Sequence, residues 1–186
     1  QFRILNVGNG VSVVVNDTDS KIVLIGDADN YLKPLKISEK LNQISTSDPD
    51  LIIFGDTEAT YDNSNLKLLR NFDFKSVIIP DANNDINLLA NSGDLIETSY
   101  ADVDIFNGDS VRININKKYS LAYYTSGSTE ILVLFDNVKK AEIPSEYLDA
   151  DYLVCCGYIP SCINPTEYER VIICGNPDWN KTVFDY

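Results

Sequence analysis

Five carboxylates, Asp27, Asp29, Asp56, Glu58 and Asp136, each follow a short apolar run that reads as a strand. Oxygen ligands gathered at strand ends can hold Mg²⁺, Mn²⁺ or Ca²⁺ and activate water for phosphoester hydrolysis. Asp, Asn and Gly are also the ordinary residues of turns, and that plainer reading competes with the catalytic one at every position. The pattern is densest over residues 50–62. There the apolar run 51–54 leads into a polar loop carrying Asp56, Glu58 and Asp62. In α/β proteins the loop leaving the carboxyl end of a buried strand is the usual seat of ligands and catalysts. This loop holds that place without a histidine, cysteine or lysine.

The shortage extends to the whole chain, which has no histidine. Ser-His-Asp and Cys-His nucleophile pairs, HExxH zinc helices and histidine-rich two-metal sites are therefore excluded. Four cysteines remain, Cys155, Cys156, Cys162 and Cys174. The first two fall inside the apolar run 152–156, where thiols pack as small hydrophobes. The spacing CC-x5-C-x11-C lacks the CxxC pairs of zinc ribbons. A disulfide from Cys162 to Cys155 or Cys156 is left open. No catalytic residue, metal or cofactor is expected.

The elements that would position these groups read as a single domain over residues 1–186. The chain is long enough for one sizeable core, with 44% hydrophobic and 23% charged residues. Three β-rich runs, 2–6, 11–15 and 21–26, form a meander. Residues 31–45 then shift to helical spacing through Leu32, Leu35, Ile37, Leu41 and Ile44. Strands at 51–54 and 76–79 alternate with helices around 65–72 and 86–90, which argues for a βαβ region. From residue 94 the β signals return at 95–98, 103–106, 111–115, 119–124 and 130–135. A short helical piece at 144–148 and strands at 152–156 and 171–174 follow. Two halves on one plan predict two mixed sheets packed together with helices outside, an α/β (α+β) architecture of four layers, αββα.

The order of elements and their turns resembles the metallo-β-lactamase fold, in particular the soluble carboxyl-terminal domain of ComEC-type competence proteins. Leu5 to Ser12 stands where that family has its DVGQGD turn, and Leu24 to Asp29 where it has IDGG. The segment 51–60 aligns with the zinc-binding HxHxDH loop, Leu132 to Asn137 with the strand ending in TGD, and 149–161 with ADVLKVGHHGS. Residues 171–178 are similar to the family's last strand. The likeness spans nearly the whole chain and rests on the order of short glycine turns. It implies a site at Gly55, Thr57, Ala59, Thr60 and Asp136, of which only Asp136 is of a metal-ligating type. One carboxylate does not hold zinc against water. The resemblance therefore implies a degenerate domain with a vacated metal site and a mouth lined by Asp27, Asp29, Asp56, Glu58, Tyr61 and Tyr158. Such a domain would bind or scaffold, on the extracytoplasmic side or surface of a bacterial cell. The carboxylate-based Mg²⁺/Mn²⁺ phosphoesterase or nuclease is the alternative.

The partner is expected to be an unidentified protein or the rest of a membrane protein. Fifteen basic against 28 acidic residues give a net charge of −13, which disfavours direct nucleic-acid binding. No apolar run approaches the ~18 residues of a spanning helix. Methionine is absent, so Gln1 is read as the start of a processed or excised segment. Residues 81–92 begin like an EF-hand loop, yet Ile86 replaces the glycine and Ser92 the glutamate. Basic pairs occur only at Lys117-Lys118 and Lys139-Lys140, too few for the eleven tyrosines to act as a stacking platform for single strands.

Overall fold

Runs of β-branched residues open the chain as an antiparallel meander of β1 (Phe2–Asn6), β2 (Val11–Asn16) and β3 (Lys21–Ile25). The computed structural model describes residues 1–6, 11–16, 21–25, 39–44, 48–55, 75–79, 95–97, 101–107, 109–116, 119–135 and 143–174. Beyond the meander, β4 (Leu51–Phe54), β5 (Ser76–Ile78) and β6 (Leu95–Glu97) add in parallel, giving one mixed six-stranded sheet. A second meander joins β7 (Ala101–Asn107), β8 (Asp109–Ile115), β9 (Ser120–Ser126) and β10 (Thr129–Leu134). Parallel β11 (Tyr152–Cys156) and β12 (Arg170–Cys174) complete a second six-stranded sheet.

The two halves start their parallel crossovers with the same device. Asp50 donates its N–H to the Lys21 carbonyl (2.8 Å) while its carboxylate accepts the Lys21 N–H (2.8 Å). Asp151 repeats this on Glu130, at 3.0 and 2.8 Å. Each aspartate thus fixes where its strand enters beside the preceding one, and hence the register of the parallel pair.

Side-chain alternation sorts the strands into two cores. Val11, Val13 and Val15 of β2, with Ile53 of β4, meet Ile113, Val133 and Val154 of the second sheet in one buried cluster, so the sheets pack face to face. Phe2 stacks on Tyr124 across them, ring centroids 4.4 Å apart. A second cluster lies on the other face of the second sheet, where Leu132, Leu153 and Cys155 pack with Ile143, Tyr147, Ile159 and Tyr168. Ser12 and Val14, on the opposite face of β2 from its three core valines, are also buried. Burial on both faces explains why β2 reads as a nearly unbroken apolar run.

The strands match the expectation closely, and the main change is that the second meander pairs further than expected. β7 and β8 run on to Asn107 and Asp109, which are register partners across Gly108. At the next hairpin Gly127 takes φ 59°, the left-handed conformation that a two-residue turn between Ser126 and Thr129 requires. The helical outer layers are a different matter. The expected helical piece at 144–148 is a single 3-10 turn, Ser145–Tyr147, closed by i to i+3 bonds from Tyr147 to Pro144 and from Leu148 to Ser145. It has no room to extend, because Asp151 must already clamp β11 to β10. A second 3-10 turn, Pro165–Glu167, is capped by the Asn164 side chain on the Thr166 N–H (3.2 Å). Of the helix expected over 31–45, residues 39–43 are helical with Leu41 buried. The helices expected around 65–72 and 86–90 lie outside the described residues. The observed layers are therefore two mixed sheets with little helix among the described residues.

Candidate functional site

Parallel strands β3 to β5 and β10 to β12 all point their carboxyl ends to one edge of the paired sheets. At that edge Gly55, just beyond β4, lies directly against the second sheet. A Cβ placed on Gly55 would stand 2.9 Å from Phe135 Cβ, 3.0 Å from Phe135 Cγ and 3.1 Å from Ser120 Oγ. Gly55 is buried, and Phe135 and Ser120 have no exposed surface. The chain therefore enters the segments beginning at residues 56 and 136 from points in van der Waals contact. Close approach of the Phe135 and Ser120 side chains to the backbone at residue 55 is what demands a glycine here.

Across the second sheet the contact continues as a row. Ser120 pairs with Ile115, and its carbonyl accepts the Phe135 N–H at 3.0 Å. Leu134 is in register with Cys155, so Phe135 comes beside Cys156, whose own register partner is Cys174. Phe135, Cys156 and Cys174 all face the inter-sheet core, whereas Cys155 faces the opposite side. The Ser120 hydroxyl is buried and has no hydrogen-bond partner among the described residues. Just beyond β11 stands Gly157, with φ 79° and a bond of 3.0 Å from the Tyr158 N–H to the Cys156 carbonyl. This i to i+2 closure has the form of a γ-turn, which only glycine adopts without strain.

Asp27, Asp29, Asp56, Thr57, Glu58, Ala59, Thr60, Tyr61 and Asp136 lie outside the described residues. Gly55 is at the carboxyl edge as expected. Tyr158, proposed for the mouth, is 8% exposed, so nearly all of its ring is turned away from solvent. Asp50, which opens the 50–62 stretch, works at the other edge. There Lys75 bonds its carboxylate and, with the Lys21 N–H, holds its carboxyl below the usual range. Ser120, Phe135 and the pairing of Cys156 with Cys174 were missed. Strand periodicity assigns each to a face, but no sequence signal tells which residues of two separate sheets meet.

All four cysteines are thiols, so the disulfide left open from Cys162 is not formed. Burial pushes the Cys155 thiol up strongly, with Cys156 and Cys174 adding to it, and burial also raises Cys174 and Cys162. Burial likewise pushes Tyr168 up to about 12. None of these groups is set up as a nucleophile or a general base near neutral pH. Among the described residues no group of three or more His, Cys, Asp or Glu side chains converges as a metal site. No helix of the described residues is long and apolar enough to cross a membrane.

Two mixed sheets packed face to face are the architecture of the metallo-β-lactamase fold, and solved structures agree. The metallo-β-lactamase SMB-1, bound to 2-mercaptoethanesulfonate, superposes with a TM-score of 0.55 at 9% identity, covering 83% of this chain and 76% of that one. A metallo-β-lactamase from Cronobacter sakazakii, a HARLDQ-motif mutant, gives 0.53 at 10% identity over the same shares. Zn²⁺-bound PqqB from Methylobacterium extorquens matches 79% of this chain with a TM-score of 0.48 at 13% identity, and this chain spans 57% of its length. No protein-family model matches the sequence, and no curated protein matches it. The chain has a metallo-β-lactamase-like fold.

Proposed function

We propose that this chain is a non-catalytic metallo-β-lactamase-like domain that binds or scaffolds, derived from the soluble domain of a competence or DNA-uptake membrane protein. The observation that carries the first part is the packing of Gly55. The resemblance sets the first zinc-ligating residue of the HxHxDH loop at this position. Phe135 fills the space into which any side chain at 55 would project. A side chain there would need Phe135 or a strand to shift, which supports reading position 55 as one that holds no ligand. The second part rests on the order of glycine turns along the chain, and the net charge of −13 favours a protein partner over DNA.

Metal analysis of the purified protein after equilibration with Zn²⁺, Mn²⁺ or Mg²⁺ tests the first part, together with phosphodiester and β-lactam hydrolysis. Neither a stoichiometric hard or borderline cation nor metal-dependent turnover is expected, and either would sink the non-catalytic reading. The natural reading frame upstream of Gln1 tests the second part. Without membrane-spanning segments there, the competence assignment fails and the non-catalytic one stands.

A further inference from the structure

β12 is the last strand of the second sheet and, among the described residues, pairs with β11 alone. An edge strand presents a row of unpaired N–H and C=O groups, which proteins ordinarily blunt with charges, proline or bulges. Over residues 171–174 β12 has none of these and reads Val-Ile-Ile-Cys, a run of high strand propensity.

The two faces of β12 differ. Val171 and Ile173 are half-buried against the second core, while Ile172 is 46% exposed and Arg170 is exposed beside it on the other face. Cys174 lies on that same other face and enters the inter-sheet core, so the row is covered at Cys174 and open at Ile172 and Arg170. No carboxylate of the described residues forms an ion pair with Arg170, although the chain carries 28 acidic residues. An unpaired guanidinium two positions from an exposed isoleucine defines what fits this edge.

We infer that β12 takes an added strand. An extended segment of the protein partner runs antiparallel along it, with an apolar residue opposite Ile172 and, two residues further on, an aspartate or glutamate opposite Arg170. The inference deepens the binding reading given above and rests on it. Antiparallel pairing is the more stable arrangement per residue, and side chains two apart on a strand share a face. Together these fix the order apolar-x-acidic along the partner. The added strand satisfies the edge N–H and C=O groups, covers Ile172 and gives Arg170 its counter-ion. Main-chain bonds supply affinity, and the contacts at Ile172 and Arg170 supply selectivity. A second copy of this chain is a poorer occupant, because two chains of charge −13 repel. A two-fold antiparallel pair centred on Ile172 would also set Arg170 opposite Cys174 and not a carboxylate.

The test titrates the isotope-labelled full chain with the synthetic peptide Thr-Thr-Val-Thr-Asp-Thr-Thr and follows the backbone amides by NMR. Shifts confined to β12 and its neighbour β11 are expected. Ile172→Lys should weaken binding about tenfold or more through the lost apolar cover, with circular dichroism reporting an unchanged fold at this exposed position. Replacing the peptide's aspartate by lysine should weaken binding to the native chain roughly two- to fivefold and strengthen it to Arg170→Glu by a similar factor, the range of cross-strand charge pairs. No shift at β12, unchanged affinity in Ile172→Lys, or equal binding of the reversed peptide Thr-Thr-Asp-Thr-Val-Thr-Thr would overturn the site. So would slow exchange of every amide from Val171 to Ile173 before peptide is added, which would mean an edge already paired within the chain, or by a second copy if protection grows with protein concentration. Each of these results leaves the metal and turnover assays of the non-catalytic reading untouched, so the two can fail separately.

Discussion

Gly55→Ala adds one methyl group at the contact between the sheets, and the structure fixes what that methyl meets. Its Cβ would lie 2.9 Å from Phe135 Cβ, against 3.4–4 Å for an ordinary contact, so about half an ångström must be found. Phe135 Cβ is anchored directly to the backbone at the end of β10, so a rotamer change does not clear it. Either β4 or β10 must shift, in a core packed at crystal-like density. Overpacking of this kind costs about 1–3 kcal/mol, and the backbone-bound obstacle argues for the upper half of that range. For a chain of this size, about 2–3 kcal/mol lowers the melting temperature by roughly 4–12 °C. Urea unfolding followed by far-ultraviolet circular dichroism measures the loss. Phe135→Ala removes the Cγ obstacle at 3.0 Å but keeps the Cβ, so in a double-mutant cycle it should relieve only part of the strain, with a coupling of about 0.5–1 kcal/mol. A Gly55→Ala variant within about 0.5 kcal/mol of the parent, the range of ordinary surface changes, would refute the close packing and with it the support for reading position 55 as one that holds no ligand.

Three further changes have definite outcomes. Ser120→Ala removes a buried hydroxyl that has no hydrogen-bond partner among the described residues, so it should leave stability unchanged or raise it by up to about 1 kcal/mol, read from the urea midpoint. Gly157→Ala forces a β-carbon into a turn with φ 79° and should cost about 1–2 kcal/mol in the same assay. The Asp50 carboxyl titrates below its unfolded value because Lys75 and the Lys21 N–H hold its anion. Its stabilising contribution is therefore complete above the unfolded pKa of 3.8 and is lost as pH falls from there through the lower folded value. Asp50→Asn should flatten the stability–pH curve in that acid window and change its slope little near neutrality, as acid titrations of both proteins will show.

The strands were legible in the sequence because burial is periodic. Alternation put Val11, Val13 and Val15 on one face, and the unbroken run 51–54 marked a strand covered on both faces. The plan of two similar halves was visible too, although the reciprocal aspartate clamps that build it were not. Asp50 and Asp151 look like turn residues, and only the register shows that each closes a pair of bonds onto the preceding strand. The 3-10 turn at Ser145–Tyr147 resembled a helix because Tyr147 and its neighbours carry helical spacing, while its length was limited by the start of β11. The site was least legible. Gly55 read as a vacated ligand position, and the sequence did not show that it admits Phe135 from the opposite sheet, a contact set by packing across 80 residues of sequence.

The internal repeat gives that contact a further meaning. Gly55 and Cys156 each stand five positions beyond the aspartate that clamps their half, so they occupy equivalent places at the carboxyl edge. A hydrolytic edge must keep those places open, polar and hydrated for metal and substrate. Here one place is a glycine covered by a fully buried Phe135 and the other is a thiol facing the same core. Burying a phenylalanine side chain contributes about 1.5–3 kcal/mol, a gain that a chain with an open metal centre forgoes at that point. On the proposed reading, the close contact at Gly55 and the absence of a ligand there go together. A histidine placed at position 55 would carry its Cβ to 2.9 Å from Phe135 Cβ, so it would strain the core before it could offer a ligand.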